Sequence, residues 1–460
     1  MDDFNLPGTL HDLEKTAARH LWFHGPEESW EELTEHEGMR VFARGEGSTI
    51  WDVRGRAYLD GLSGLFVVNA GHGRREIGEA MAEQAGRIAY SAASTCSNDA
   101  AVRLAGKLSG ITPGDLSRVF LVSGGSEAVE SAIKIARQAQ AMRGFQGRHK
   151  IIARRGSYHG MTLGAMSLTA ARVEKFHGPF MYGVSHVPSP NRYHNDFGLA
   201  GEDGDLMCAR YVEQEIIHQG PETVAAVIGE PVSVSNGNHV PSPRYWQMLR
   251  DICDRYGVFL IMDEAINGFG RTGKMFAAEH FGVVPDMMVI AKGFSSGYAP
   301  IGGVIVRGEV FEGFTGDGKP IEHLLTFGGH AVASAAALRN IQIIEDEDLV
   351  ERSARSGAYL MEGLHTLESH PTVGDVRGIG LMCSVELVKN RETRESWGWT
   401  HAFTKDLAER IRDRGLLTRV WGVLHLGPPL VITRDEIDSI IGIIGESLTE
   451  TENRFASEIA

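Results

Sequence analysis

The chain reads as an α/β protein, and three observations predict this. Val258–Met262 and Met287–Ala291 are continuous apolar runs, the pattern of strands covered on both faces rather than the alternation of a half-exposed strand. Each run ends in charge, the first at Asp263-Glu264 and the second at Lys292. A third short run, Val119–Val122, passes through the glycine-rich turn Ser123-Gly124-Gly125-Ser126 into a helical stretch. In open α/β sheets ligands bind outside the C-terminal ends of the strands, so these ends mark the candidate site.

Composition allows a large enzyme. At 460 residues the chain could hold two to four domains or one enzyme-sized unit. With 42% hydrophobic and 23% charged residues it is ordinary for a globular protein. The 56 glycines are separated by apolar runs, so they mark tight turns and close backbone approaches rather than disorder. A net charge of −15 argues against nucleic acid and anionic membrane surfaces as partners. The N-terminus, Met1-Asp2-Asp3-Phe4-Asn5, is acidic and lacks the apolar stretch of a signal peptide. No apolar run reaches the roughly 18 residues that a membrane span needs. Cys96, Cys208, Cys253 and Cys383 are scattered without CxxC spacing, as expected for reduced thiols in a cytoplasmic protein. The 19 histidines form no HExxH pattern or cluster, and no metal is expected.

Taken in order, residues 1–37 are polar, and Trp22, Phe23, His24 and Trp30 imply that part of this segment packs on something. Met39–Arg44 and Ser48–Asp52 alternate around Gly45-Glu46-Gly47, which predicts a hairpin continued by Ala57–Asp60. Gly61–Gly73 is too glycine-rich for a helix. Helices are predicted over Arg75–Ala89 and Asp99–Leu108, the second with Ala101, Leu104, Ala105 and Leu108 on one face. A helix from Glu127 to about Arg143 follows the glycine turn. Lys150–Ala153 is a strand, and Gly156-Ser157-Tyr158-His159-Gly160 follows it. After a loop at Pro188–Asp205 come a helix at Leu206–Gln219, the strand Val224–Gly229 ending at Glu230-Pro231, and a helix at Tyr245–Tyr256. A helix from Ala331 to Glu345 precedes a shift in composition. Helices Leu349–His365, Thr404–Arg414 and Arg434–Thr451 then enclose the alternating strand Gly380–Leu387, a second and smaller α/β unit.

An acid and a lysine delivered together into an apolar setting have two readings. One is a structural ion pair. The other is a pyridoxal phosphate (PLP) site, where the lysine forms a Schiff base with the aldehyde and the acid faces the pyridine nitrogen. At hydrogen-bonding distance and an effective dielectric of roughly 20, a carboxylate stabilises a pyridinium by about 4 kcal/mol. That is roughly three pKa units, and the protonated ring becomes an electron sink. The glycine turn offers free N–H groups and the positive end of a helix dipole to a phosphate, although a plain N-cap would look the same. Tyr158, just past a strand end, can stack on a planar ring, and Glu230 brings another carboxylate to the same sheet edge.

The run Asp263-Glu264-Ala265-Ile266-Asn267-Gly268-Phe269-Gly270-Arg271-Thr272-Gly273, with Ala291-Lys292-Gly293 and Gly302-Gly303, closely resembles the signature of the class III (omega) aminotransferases, PLP enzymes of fold type I. The similarity extends from about Gly38 to Leu448. It implies a mainly parallel seven-stranded sheet in a large domain flanked by helices, over 70–336. It also implies a smaller α/β domain built from the N-terminal segment 1–69, part of which covers an active site, and from 337–460. The implied activity moves an amino group from an amine or omega-amino acid to a keto acid, with pyruvate the expected acceptor, in two half-reactions. A decarboxylase or aminomutase on the same scaffold is the alternative.

The resemblance also implies roles. Lys292 would carry PLP and move the proton, and Asp263 would keep the ring protonated. Tyr158 and Ala265 would sandwich the ring, Gly125 and Ser126 would cup the phosphate, and Glu230 would lie near cofactor and substrate. Thr326, in Thr326-Phe327-Gly328-Gly329-His330, would reach the partner's phosphate in a homodimer or a tetramer of dimers; an N-cap for the following helix is the plainer reading. Phe66 would line the substrate pocket, with plain core as the alternative. Arg419 would bind a substrate carboxylate, with a solvated surface arginine as the alternative. His159 reads as structural, hydrogen-bonded in its turn. Three places depart from the family pattern: Gly124 stands for the usual serine, Ser233-Val234-Ser235-Asn236-Gly237 for a glutamine-and-glycine stretch, and Gly422-Val423 for Gly-Asp. The small residues in Tyr90-Ser91-Ala92-Ala93-Ser94 imply a roomy pocket for bulky or long-chain amines, while taurine or β-alanine also fits the family. A nucleotide-binding oxidoreductase is disfavoured, because the glycine turn lacks GxGxxG spacing.

Overall fold

The computed structural model describes residues 10–24, 40–169, 174–315 and 319–459. Trp30 and Met39, named above, lie outside them. Helix Leu10–His20 opens the described chain, and Trp22 just beyond it is 88% exposed, so it does not pack within this chain. Strands β1 (Phe42–Glu46) and β2 (Thr49–Asp52) form the expected hairpin, with Glu46 opposite Thr49. The reversal falls at Gly47-Ser48, later than the Gly45-Glu46-Gly47 expected, because Gly47 supplies the left-handed φ of +56°. Strand β3 (Ala57–Asp60) adds antiparallel to β2. The Gly61–Gly73 loop contains one short helical turn, Ser63–Phe66, broken at Gly64 and Leu65.

The large sheet has seven strands: β4 (Leu116–Val122), β5 (Lys150–Arg154), β6 (Val184–Val187), β7 (Val224–Gly229), β8 (Phe259–Asp263), β9 (Met287–Ile290) and β10 (Gly302–Arg307). Their order is β4-β10-β9-β8-β7-β5-β6. Strand β10 runs antiparallel to both neighbours, and the remaining pairings are parallel. Strands β7, β8 and β9 are buried at every residue, as their unbroken apolar runs require. Helix Gly125–Met142 lays Ala128, Val129, Ala132, Ile133 and Ala136 onto β9 and β10. Helices Gly201–Gln219 and Pro243–Tyr256 pack on each other, the first starting earlier than Leu206.

Strands β6 and β10 were not expected. Strand β10 begins with two glycines, which weaken a strand pattern. They are needed there: a Cβ on Gly302 would lie 2.7 Å from the carbonyl oxygen of Gly124. Helix Ala331–Asp346 spans residues 336 and 337 and precedes the second sheet. Beyond helix Leu349–His365, a sheet of β11 (Val373–Gly378), β12 (Cys383–Asn390), β13 (Glu395–Ser396), β15 (Arg419–Val420) and β16 (Val423–Leu426) replaces the single strand expected. Strand β14 (Leu416–Leu417) pairs parallel with β3, Leu416 opposite Leu59, and so stitches the two ends of the chain together. The last helix, Arg434–Arg454, opens with a capping box between Thr433 and Glu436.

Arg271 ties these parts to one another. Its side chain is fully buried. Its guanidinium donates to Leu381 O at 3.0 Å, Pro428 O at 2.5 Å, Ser63 Oγ at 3.1 Å and Asn69 Oδ1 at 2.7 Å. A planar fork of donors reaches all four; a lysine ammonium on a flexible stem cannot. Arg271→Lys is therefore expected to lower the free energy of unfolding by about 1–3 kcal/mol, the cost of leaving a buried polar group unpaired. The denaturant midpoint followed by circular dichroism checks this, and an unchanged midpoint would contradict it.

Candidate active site

Five strands of the large sheet deliver polar residues to one edge. Gly125 follows β4, Tyr158 and His159 follow β5, Glu230 follows β7, Asp263 ends β8, and Lys292 follows β9. This is the C-terminal edge of the parallel strands, where backbone hydrogen bonding within the sheet ends and side chains can face a ligand.

Asp263 is 3% exposed. Its Oδ1 accepts the Ala265 N–H at 3.1 Å, and its Oδ2 lies 2.8 Å from Nδ1 of His159. The His159 backbone N–H bonds to Thr169 Oγ1 at 2.9 Å, at the end of helix Leu163–Leu168. Its ring lies between Asp263 and Glu230. The far ring atom, Nε2, is buried without a hydrogen bond, 3.8 Å from Oε2 of Glu230. The neighbouring acid, Glu264, turns the other way, as successive residues at a strand end must. Its carboxyl accepts the N–H groups of Ala277 and Ala278 at 3.0 and 2.7 Å, and burial pushes it up to about 8.

Glu230 is held from several sides. Arg154, itself fully buried, donates to its Oε2 at 3.2 Å, while Tyr158 N–H and Ser233 Oγ donate to its Oε1 at 3.0 and 2.9 Å. Burial works to raise the Glu230 carboxyl, but the charges of His159 and Arg154 outweigh it and hold it below the usual range. Ser233, one of the departures from the family pattern, is thus a ligand of this carboxylate. Asn267 couples the Glu230 segment to the Asp263 segment, accepting from Val232 N–H at 2.9 Å and donating to Val232 O at 3.1 Å.

Lys292 is half-buried and has a left-handed φ of +51°, a conformation that costs a non-glycine residue about 1–2 kcal/mol. The turn after it is clamped by Asn340, which donates to Gly293 O at 2.9 Å and Phe294 O at 3.0 Å. Burial pushes the Lys292 amine below its usual range, against the pull of Asp263 and Glu230; Arg419 adds to the fall. A less protonated amine is a better nucleophile and base.

The residues present fit PLP. Gly125 opens helix Gly125–Met142, whose N-cap, Gly124, makes no side-chain cap bond. A Cβ on Gly124 would meet nothing within 4 Å, so the helix end faces open space, as an anion needs. A Cβ on Gly125 would sit 3.4 Å from that of Ala291 and 3.9 Å from that of Ala265, which places Ala265 beside the turn. Ser126 Oγ accepts Met161 N–H at 3.1 Å and keeps its own proton to donate. Tyr158 is 40% exposed beside these groups; burial and then Asp263 raise its phenol above the usual range.

The residues expected on the substrate side, Phe66 and Arg419, come from the turn Ser63–Phe66 and from β15. Phe66 is buried within the core, φ +58°, with its ring against Gly427. The Arg419 guanidinium lies 6.0 Å from that ring and 4.3 Å from the ring of Trp421. Trp421 carried no signal of its own in the sequence. Thr326 is exposed on a turn lined by exposed Leu324 and Phe327. The cap of helix Ala331–Asp346 is His330, whose side chain accepts from Ala333 N–H, so the plainer N-cap reading falls to His330 rather than Thr326. His159 stood in the Gly-Ser-Tyr-His-Gly run, while Arg154, the last residue of an apolar strand, was legible only as a strand-end charge.

Comparison with known proteins agrees with this geometry. Residues 33–448 match the aminotransferase class-III family. A taurine–pyruvate aminotransferase from Bilophila wadsworthia is 38% identical, over 93% of this chain and 96% of its own. An (S)-enantioselective omega-transaminase from Thermomicrobium roseum superposes with a TM-score of 0.92 at 39% identity, covering 96% of this chain and 98% of that one. The omega-transaminase from Pseudomonas jessenii in complex with PMP superposes with a TM-score of 0.91 at 33% identity, covering 96% and 99%. The chain belongs to the class-III aminotransferase family, and is a PLP-dependent transaminase of fold type I that passes an amino group between an amine or omega-amino donor and a keto acid.

Proposed function

We propose that Lys292 anchors PLP and then serves as general base and acid, with Asp263 facing the ring nitrogen and Arg419 and Phe66 forming the substrate side. The observation that carries this reading is the buried pair of Asp263 and His159 at 2.8 Å beside an amine whose protonation burial disfavours. When bound, PLP supplies a cationic ring that takes up the electron pair left as the donor loses its C–H proton. Lys292 would hold the cofactor's aldehyde, and its free Nζ would accept that proton and return it. Oδ2 of Asp263 lies against Nδ1 of His159, and the Ala265 N–H donates to its Oδ1. Tyr158 and Ala265 would bound the ring, and Gly125 and Ser126 would donate to the phosphate. Glu230, fixed by Arg154 and Ser233, orients the His159 ring from its far side.

The donor reading is an amine or omega-amino acid with pyruvate as acceptor. The small residues Ser91, Ala92, Ala93 and Ser94 support bulky or long-chain amine donors; Ser91, Ala93 and Ser94 line a cavity of about 540 Å³ with Phe120, Leu121 and Leu324, and Lys292 and Asp263 do not line it. The same face exposes Val102 and Phe327. Exposed apolar side chains around a cavity support pairing with a second copy through this face, as a homodimer or a tetramer of dimers. Thr326 would then complete the partner's phosphate site. In this reading the chain divides into 1–69, 70–336 and 337–460, with the first and last segments joined through β3 and β14. No helix among the described residues is long and apolar enough to cross a membrane; a cytoplasmic setting is the reading we adopt, in keeping with four free cysteines.

Three outcomes test this. Asp263→Asn is expected to retain the cofactor but lower kcat on the order of 1,000-fold, since about 4 kcal/mol of ring stabilisation is lost; single-turnover absorbance with an amine reads it, and a rate within tenfold of the parent defeats the assignment. Arg419→Ala is expected to raise the KM for pyruvate far more than that for a plain amine, and unchanged pyruvate kinetics would remove Arg419 from the carboxylate. Sedimentation velocity is expected to show a dimer or larger; a fully active monomer would exclude the role given to Thr326.

A further inference from the structure

We propose that Glu130 is a positioning residue for the cofactor phosphate: it clamps the loop 160–165 onto helix Gly125–Met142, so that Met161 N–H aims the Ser126 hydroxyl. This rests on the assignment of Ser126 to the phosphate. Glu130 stands four residues beyond Ser126 on that helix, so the two side chains share a face. Its Oε1 accepts from the Thr162 hydroxyl and from Gly164 N–H, each at 2.8 Å, and from Ala165 N–H at 3.3 Å. A carboxylate, with no proton of its own to place, suits such converging donors.

The clamp stands in for a helix cap. Helix Leu163–Leu168 begins after Thr162, whose side chain makes no cap bond of its own. Glu130, from another element, takes the N–H groups of the first turn instead, together with the Thr162 hydroxyl. A Cβ on Gly164 would lie 2.5 Å from Glu130 Oε2, so only a glycine lets the carboxylate come this close. At the other end of the loop, Thr169 Oγ1 accepts His159 N–H at 2.9 Å and donates to Gly160 O at 3.1 Å. The loop is thus held on both sides of Met161.

Ser126 lies against the loop between these two anchors. Its Oγ accepts Met161 N–H at 3.1 Å, and a Cβ on Gly160 would overlap that oxygen. With a lone pair committed to Met161, the hydroxyl proton is directed elsewhere, and an anion at the helix N-terminus would receive it. The helix that carries both Ser126 and Glu130 packs on β9 and β10, so the clamp shares its support with the strand that leads to Lys292. Without Glu130 the loop keeps its Thr169 anchor but loses its hold beyond Met161, and the Ser126 hydroxyl is free to turn. What the clamp uses is the acceptor oxygen and not the charge.

The test compares Glu130→Ala, Glu130→Gln, Ser126→Ala and the double variant Ser126→Ala/Glu130→Ala in the full chain. Thr162→Val, which removes one of the three donors, is a milder variant should Glu130→Ala fail to fold, and thermal melting checks each protein. The readouts are the concentrations of pyridoxamine phosphate (PMP) and of pyridoxamine, which lacks the phosphate, that half-saturate each protein, measured by absorbance after ultrafiltration. Glu130→Ala is expected to raise the PMP value about five- to thirtyfold and to leave the pyridoxamine value within about twofold. Thr162→Val is expected to shift PMP in the same direction by less. Glu130→Gln keeps an acceptor oxygen and is expected to restore most of the PMP affinity, and the effect of Glu130→Ala is expected to vanish in the Ser126→Ala background. Unchanged PMP binding in Glu130→Ala and Thr162→Val, an equal loss for pyridoxamine, an equal loss in Glu130→Gln, or an undiminished effect without the Ser126 hydroxyl would each overturn the proposal. If Ser126→Ala alone leaves PMP binding unaltered, the phosphate assignment itself fails, an outcome distinct from failure of Glu130 alone.

Discussion

A carboxylate at 3% exposure cannot be left without compensation, and the structure around Asp263 is arranged to supply it. Removing a charge from water costs several kcal/mol unless hydrogen bonds and opposite charge replace the solvent. Here Nδ1 of His159 and the N–H of Ala265 meet the two carboxylate oxygens. The arrangement continues outward: His159 lies between Asp263 and Glu230, and Glu230 is in turn met by Arg154. Acid, imidazole, acid and guanidinium alternate along a dry sheet edge. Each is tolerable only because of its neighbour.

This arrangement depends on fixed backbone. Lys292 is held in a left-handed conformation, and the clamp of Asn340 on the following turn keeps it there. Such strain persists only where the surroundings over-determine it. Asn69 supplies another restraint: it donates to Phe269 O at 2.9 Å and accepts from Arg271. Arg271 then reaches Pro428 and Leu381 in the C-terminal part. The segments that carry Phe66 and Arg419 are thereby referenced to the same backbone as Asp263 and Lys292. Transamination needs this common frame, because one amine must face both a ring and a substrate carbon.

The sequence was most legible where the signal is local. Helix Leu349–His365 matches its expected limits, since its apolar period is unbroken and self-contained. The buried strands β7, β8 and β9 were readable as unbroken apolar runs. Strand β10 was hidden by Gly302 and Gly303; a Cβ on Gly302 would meet the backbone of Gly124, and one on Gly303 the carbonyl oxygen of Phe120 at 3.2 Å. The C-terminal sheet was hidden by brevity: β13, β14 and β15 are too short to show a period, and they exist only through pairing.

Within the site the same division holds. The sequence by itself determined that Asp263, Glu230 and Lys292 end buried strands, and that a glycine turn opens a helix after β4, because strand burial and helix entry are written in neighbouring residues. Tertiary structure alone decided that His159 meets Asp263, and that Glu264 faces away from the site. Pairings of the first kind join segments about a hundred positions apart, brought together by strand order and not by spacing.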